Sequence, residues 1–172
     1  VIRLCEREVT NLMIGPPSKM EKDETFLKTF FRSEGKHIVC GGTTAQFAAD
    51  YLGETVSVLD GTGTDAVPAM SKIKGVDLVT EGLLTLRKLN SYANAYLADN
   101  MDVLTTKKKK DGAARLLEVL FEESSDINIF FGNASNPANQ GLHIDEGEKL
   151  RLTNHLRNCL EKAGKKVRMQ IW

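Results

Sequence analysis

Four times along this chain an apolar run with strand spacing stops at a polar turn containing glycine, and residues with helical spacing follow. The exits are Gly15-Pro16-Pro17-Ser18, Gly41-Gly42-Thr43-Thr44, Glu81-Gly82 and Gly132-Asn133-Ala134-Ser135-Asn136. Strands are expected over residues 9–14, 36–40, 54–59, 76–80, 126–131 and 167–171, from their alternation or continuous apolar content. Helical spacing links Phe26, Leu27, Phe30 and Phe31, and later Leu83, Leu86, Leu89, Tyr92 and Tyr96. Further helices are expected up to Leu52, where Gly53 stops the second, and over residues 113–123 and 146–163, where Gly164 stops the last. Residues 60–65 form a loop that reaches to Pro68. Strands alternating with helices predict an α/β fold, a three-layer Rossmann-like domain with a mostly parallel sheet flanked by helices.

Such a sheet places ligands outside the carboxyl ends of its strands, where the strand order reverses. The four exits lie at those ends, so they are expected to line one rim. Gly15, Ser18, Gly41, Gly42, Thr43, Thr44, Glu81, Gly82, Gly132, Asn133, Ser135 and Asn136 are therefore the candidate ligand-binding residues. Glycine lets a backbone approach a ligand, and the free amides and dipole of a helix N-terminus favour negative charge. The mixture suits a small polar or anionic molecule. The alternative is that each glycine only terminates a strand and each hydroxyl only caps the next helix.

Known phosphate fingerprints do not fit. Gly41-Gly42-Thr43-Thr44 lacks the span and the Lys-Ser/Thr pair of a P-loop, and the third glycine of a dinucleotide turn. Glu81 is placed to act as a base, to bind a ligand hydroxyl, or simply to favour the following helix N-terminus. Cys40 ends an apolar strand and is expected to be buried and inert, although a helix N-terminus is one way to activate a thiol. Neither His37, His143 nor His155 is tied by spacing to a nucleophile. Asp60 and Asp65 flank a glycine-threonine loop whose spacing matches no calcium loop, so they are expected to be turn formers. No catalytic residue and no metal ligand is assigned.

Composition narrows the partners. Twenty-three basic residues balance twenty-three acidic ones in 172, so no overall field recruits nucleic acid or an anionic membrane. Lys107, Lys108, Lys109 and Lys110 have no interleaved aromatic residue and are expected in a solvated loop. Cys5, Cys40 and Cys159 are odd in number and scattered, which fits a reducing, cytoplasmic setting. No apolar stretch approaches the roughly 18 residues that span a bilayer. The chain opens at Val1 with a strand-like segment, so residues 1–8 are expected to be the remnant of a preceding domain or linker and residues 9–172 a single α/β domain.

Taken in order, Gly15-Pro16-Pro17, Ile38-Val39-Cys40-Gly41-Gly42-Thr43-Thr44-Ala45, Gly75-Val76-Asp77-Leu78-Val79-Thr80-Glu81-Gly82 and Asn136-Pro137-Ala138-Asn139-Gln140 resemble the region that follows the catalytic domain in bacterial serine phosphatases of the stage II sporulation protein E family. The resemblance covers nearly the whole chain. It implies a metal-dependent phosphatase parent, in which aspartates hold manganese or magnesium ions that activate water against a phosphoserine or phosphothreonine. Two-metal hydrolysis needs carboxylates converging on ions about 4 Å apart, and neither Asp60-Gly61 nor Asp111-Gly112 has such surroundings. The metal is expected only in the attached catalytic domain, with no cofactor in this chain. Asn139 stands where similar sequences would carry a histidine.

Three functions follow as expectations. The first is a non-catalytic accessory domain that binds a small ligand or partner at the rim and regulates an attached phosphatase. The second is a stand-alone enzyme acting on a nucleotide-like or phosphorylated metabolite. The third is an interaction or dimerisation module, with a homodimer as one outcome.

Overall fold

The computed structural model describes residues 6–100, 111–134 and 147–172. In chain order the elements are β1 (Val9–Ile14), α1 (Asp23–Arg32), β2 (Lys36–Cys40), α2 (Gly42–Leu52), β3 (Ser57–Val58), β4 (Ser71–Lys72), β5 (Leu78–Thr80), α3 (Leu83–Leu97), α4 (Gly112–Leu117), β6 (Asp126–Phe131), α5 (Glu148–Lys162) and β7 (Lys166–Ile171). A single 3-10 turn, Met20–Lys22, leads into α1, and a π-helical stretch, Glu118–Glu123, continues α4. The seven strands form one sheet in the order β3-β4-β5-β2-β1-β6-β7. Strands β5, β2, β1, β6 and β7 are parallel, and β3 and β4 join antiparallel at one edge. This is the predicted α/β, Rossmann-like arrangement.

The centre of the sheet is β1, whose residues from Thr10 to Ile14 are all buried because helices cover both faces. Leu12 and Ile14 face a layer built from α3, α4 and α5, with Leu86, Leu89, Leu116, Leu120, Leu156 and Leu160. Met13 faces the opposite layer, where α1 and α2 bring Phe26, Phe30, Ala45 and Ala48 against Val39 and Phe130. Phe130 meets Phe26 and Phe30 edge-on, at centroid separations of 6.1 and 5.3 Å, the geometry favoured by aromatic quadrupoles. Asn11 is fully buried on this strand, and its polar atoms are satisfied by the carbonyls of Glu34 and Lys36 and by the amide of Asn128.

The edge differs from the sequence expectation. The strand expected over residues 54–59 is only Ser57–Val58, and it pairs with Ser71–Lys72, which sequence patterning did not mark. Hydrogen bonds in the loop explain both. Thr62 Oγ1 donates to the Leu59 carbonyl and accepts from the Met70 amide, while Thr64 Oγ1 accepts from the Val67 amide. These side chains fold residues 59–70 into a hairpin that needs no apolar alternation. The opening strand-like segment at residues 1–5 and Lys107 to Lys110 lie outside the described residues.

The last residues of the parallel strands are in register. Ile14 lies opposite Cys40 and Phe131, Cys40 opposite Thr80, and Phe131 opposite Ile171. The four exits consequently start level. Between β1 and β6 the winding of the chain reverses, and there the two exits touch: the Gly132 amide donates to the Ile14 carbonyl and the Ala134 amide to the Pro16 carbonyl. A Cβ on Gly132 would overlap the carbonyls of both Pro16 and Gly15. Gly132→Ala is expected to cost about 2 to 4 kcal/mol, read as a lower urea midpoint at unchanged slope.

Candidate functional site

Level exits turn the candidate residues into a row above the strand ends. Along it, from one side to the other, stand Gly132 after β6, Gly15 after β1, Gly41 after β2 and Glu81 after β5. Gly15 and Gly41 both have positive φ, 79° and 121°. At Gly41 a Cβ would come 2.8 Å from Thr44 Oγ1 and 4.0 Å from the Gly82 Cα. Glycine at 41 and 82 therefore lets the N-termini of α2 and α3 approach each other.

The hydroxyl-capping alternative does not describe these helices. The N-cap residues are Gly41 for α2, Gly82 for α3 and Gly147 for α5, and none supplies a capping side chain. Thr44 is buried, and its Oγ1 instead accepts the Gly15 amide at 3.1 Å, tying α2 to the turn after β1. Thr43 is exposed beside it. By contrast, α4 is capped by Asp111, whose Oδ1 accepts from the Ala114 amide.

Glu81 is half-buried at the end of the row. Its Oε2 accepts the Gly82 amide, and its Oε1 lies 3.9 Å from where a Gly42 Cβ would stand. The carboxylate thus serves the N-terminus of α3, one of the roles the sequence left open, and reaches back over the β2 exit. Ser18 and Asn133 sit elsewhere: both amides point at the Trp172 carbonyl, at the end of β7. Ser135, Asn136, Asn139 and His143 lie outside the described residues.

Cys40 forms the floor between Gly15 and Glu81. Its thiol donates to the Glu81 carbonyl at 3.2 Å. Burial pushes the thiol up to about 12, and the neighbouring Glu81 carboxylate pushes the same way, while the Thr80 hydroxyl and Lys149 ammonium act in the opposite direction. A thiol that holds its proton so firmly is not a nucleophile near neutral pH, as expected for a buried, inert cysteine. The other buried cysteine, Cys159, lies 3.5 Å from His155 Nε2, but that same nitrogen is 2.9 Å from Asn94 Oδ1. One nitrogen facing both neighbours does not make a base-activated nucleophile held by a third residue.

One rim residue escaped the sequence reading. Lys149, in the first turn of α5, is half-buried and reaches across the β1 exit. Its Nζ donates to the Gly132 carbonyl at 3.0 Å, lies 5.0 Å from the Phe131 ring centroid, and would stand 2.6 Å from a Cβ on Gly15. Among the described residues no carboxylate lies within ion-pair distance of it. A cation in a first helical turn also opposes the helix dipole, and that position was the available signal in the sequence. Desolvation lowers its pKa from the usual 10.5. Two residues support the placement: Arg87 on α3 grips Glu148 with Nε–Oε1 at 2.6 Å and Nη2–Oε2 at 2.8 Å, fixing the turn that carries Lys149.

Among the described residues no group of three or more His, Cys, Asp or Glu side chains is placed to hold a metal ion. Asp60 and Asp65 are exposed loop residues. The chain matches no protein-family model, no curated protein and no solved structure.

Two substitutions separate structural from ligand-directed groups. Thr44→Val leaves the buried Gly15 amide without its acceptor and is expected to lower stability by about 1 to 3 kcal/mol, measured by chemical denaturation. Lys149→Met removes a desolvated charge, so the ligand-free variant is expected to melt no lower than the parent at pH 7. Because the folded pKa of Lys149 lies below the unfolded one, the unfolded chain holds the extra proton between them, and this residue's penalty fades as pH rises through that window. The melting difference between variant and parent should accordingly shrink toward pH 10.5; calorimetry across pH reads it directly.

Proposed function

We propose that this chain is a non-catalytic C-terminal accessory domain of a metal-dependent serine/threonine phosphatase of the stage II sporulation protein E type, binding a small polar or anionic ligand at its rim and regulating the phosphatase. One observation carries the reading. Three of the motif segments behind the resemblance, at Gly15, at Gly41 to Thr44 and at Glu81-Gly82, are adjacent exits of one sheet, starting level. That the segments behind the resemblance lie side by side supports reading them as one rim and not as a scattered set of turns. The N-terminus of α2 and the Lys149 ammonium bring positive potential to that rim, while the Glu81 carboxylate sits against the N-terminus of α3.

A stand-alone enzyme is the weaker reading, since the only thiol on the row holds its proton to about pH 12. The interaction module draws on the open edge of β7, where Ile171 is 61% exposed. The manganese or magnesium of the parent belongs to its catalytic domain. A cytoplasmic setting accords with free, buried Cys40 and Cys159, and among the described residues no helix is long and apolar enough to cross a membrane. Regulation requires that the ligand bind one state of the attached phosphatase more tightly than another.

The test is a titration of the labelled chain with nucleotides and phosphorylated metabolites, followed through the amide signals of Gly15, Gly41, Gly42 and Gly132. Saturable shifts confined to these glycines and their neighbours are expected. A screen in which no compound moves them, together with a concentration-dependent dimer, would replace ligand binding by the interaction reading.

A further inference from the structure

Two side-chain clips join α3 to α5, and they are seven residues apart on both helices: Arg87 with Glu148, and Asn94 with His155. Seven residues make about two helical turns, so the helices run parallel and in step. Buried Leu89, Ala93, Leu156 and Leu160 hold them to the same core. The first clip serves the rim. The second stands some three turns beyond the Leu83 start of α3, about 16 Å along the helix from the rim.

Three donor atoms converge at the second clip. His155 and Cys159 are one turn apart on α5 and share a face. His155 Nε2 lies 3.5 Å from Cys159 Sγ and 2.9 Å from Asn94 Oδ1, and Sγ lies 3.8 Å from Oδ1. A tetrahedral ion with a metal–sulfur bond of about 2.3 Å and a metal–nitrogen bond of about 2.0–2.1 Å sets those two ligands about 3.5 Å apart. The thiol and the imidazole already stand at that separation. Cys159 is 3% exposed and forms a floor, while His155 and Asn94 are exposed above it, so an ion has a path from solvent to the sulfur. As hydrogen-bonding partners alone the three are poorly matched, because Nε2 carries at most one proton for two acceptors. Burial pushes the Cys159 thiol up and the Lys162 ammonium pulls it down; a coordinating cation removes the proton outright.

We infer that Asn94, His155 and Cys159 form a binding site for one divalent cation of borderline softness, of which zinc is the type, at the solvent-facing seam between α3 and α5. Sulfur and imidazole nitrogen together select such ions over magnesium or calcium, which take oxygen ligands. Sγ, Nε2 and Oδ1 supply three positions, and the fourth faces solvent, as in zinc sites that stay open. The Nε2–Oδ1 separation is short because the pair is hydrogen-bonded, and it widens by about 0.5 Å to admit the ion, a shift that two exposed side chains absorb. Spacing along the chain does not mark the site, since Asn94 is 61 residues from His155 and its donor is an amide oxygen. The inference is independent of the ligand-binding reading of the rim.

Titration of the chain with cobalt tests this, in a Cys5→Ser background so that Cys5 contributes no thiolate. One equivalent should produce the visible bands of tetrahedral cobalt and a near-ultraviolet thiolate charge-transfer band, and zinc should abolish both. Cys159→Ser should remove the charge-transfer band. His155→Gln should weaken cobalt binding at least about tenfold, since even residues behind the ligands of a metal site are worth about 10- to 100-fold. Asn94→Asp supplies a charged oxygen at the same place and should tighten both cobalt and zinc, an effect that a role confined to helix packing would not produce. Melting curves establish that each variant is folded, and zinc should raise the melting temperature of the parent but not that of Cys159→Ser. A cobalt spectrum without the thiolate band, a spectrum that Cys159→Ser leaves unchanged, or an affinity that Asn94→Asp fails to raise overturns the inference.

Discussion

The register that ends β1, β2, β5 and β6 on one level is the constraint from which the rest of the rim follows. Parallel strands have no turn to fix their alignment, so the pairing depends on which residues each strand buries. Leu12 and Ile14 face one helical layer and Met13 the other, and β2 and β6 repeat the alternation with Ile38, Cys40, Ile129 and Phe131 on the first side and Val39 and Phe130 on the second. A slip of one residue would invert every one of these side chains. Level strand ends are thus a by-product of a two-sided core, and they set four glycine or acidic turns beside one another without any contact designed for that purpose.

The backbone crossing at the reversal point then decides which part of the row stays usable. Gly132 passes so close to Gly15 and Pro16 that no side chain fits between the β1 and β6 exits. The crevice that an open α/β sheet usually offers at this point is closed by main chain. What remains accessible lies toward β2 and β5, where Gly42 and Thr43 are exposed and Gly41, Glu81 and Gly82 half-buried.

Most of the parallel core was legible in the sequence because its signals are local: a strand of five or six residues, a glycine at its end, and a periodic helix. The parts that were not legible depend on partners distant in sequence or on side chains acting against type. Thr44 looked like a cap, yet its hydroxyl bonds an amide 29 residues away. β3 and β4 are two residues each, and their pairing is set by Thr62 and Thr64 inside the loop, so no period could reveal them. Lys149 was hidden for a different reason. A long charged side chain on an amphipathic helix reads as solvent-facing, and its flexible stem conceals where the ammonium goes.

Lys149 also shows how the fold keeps a charge available. Its neighbour Glu148 is a carboxylate, but adjacent helical residues point about 100° apart and do not face each other. Arg87 completes the separation by binding both oxygens of Glu148, a geometry that the planar guanidinium holds better than a lysine would. With that carboxylate engaged on α3, the first turn of α5 is anchored by its acid and presents its base to the glycine row. The ion pair at the surface thereby helps orient, at the rim, a cation with no carboxylate in ion-pair distance among the described residues. Its contribution to the protein is this positioning, since an exposed pair adds little to stability on its own.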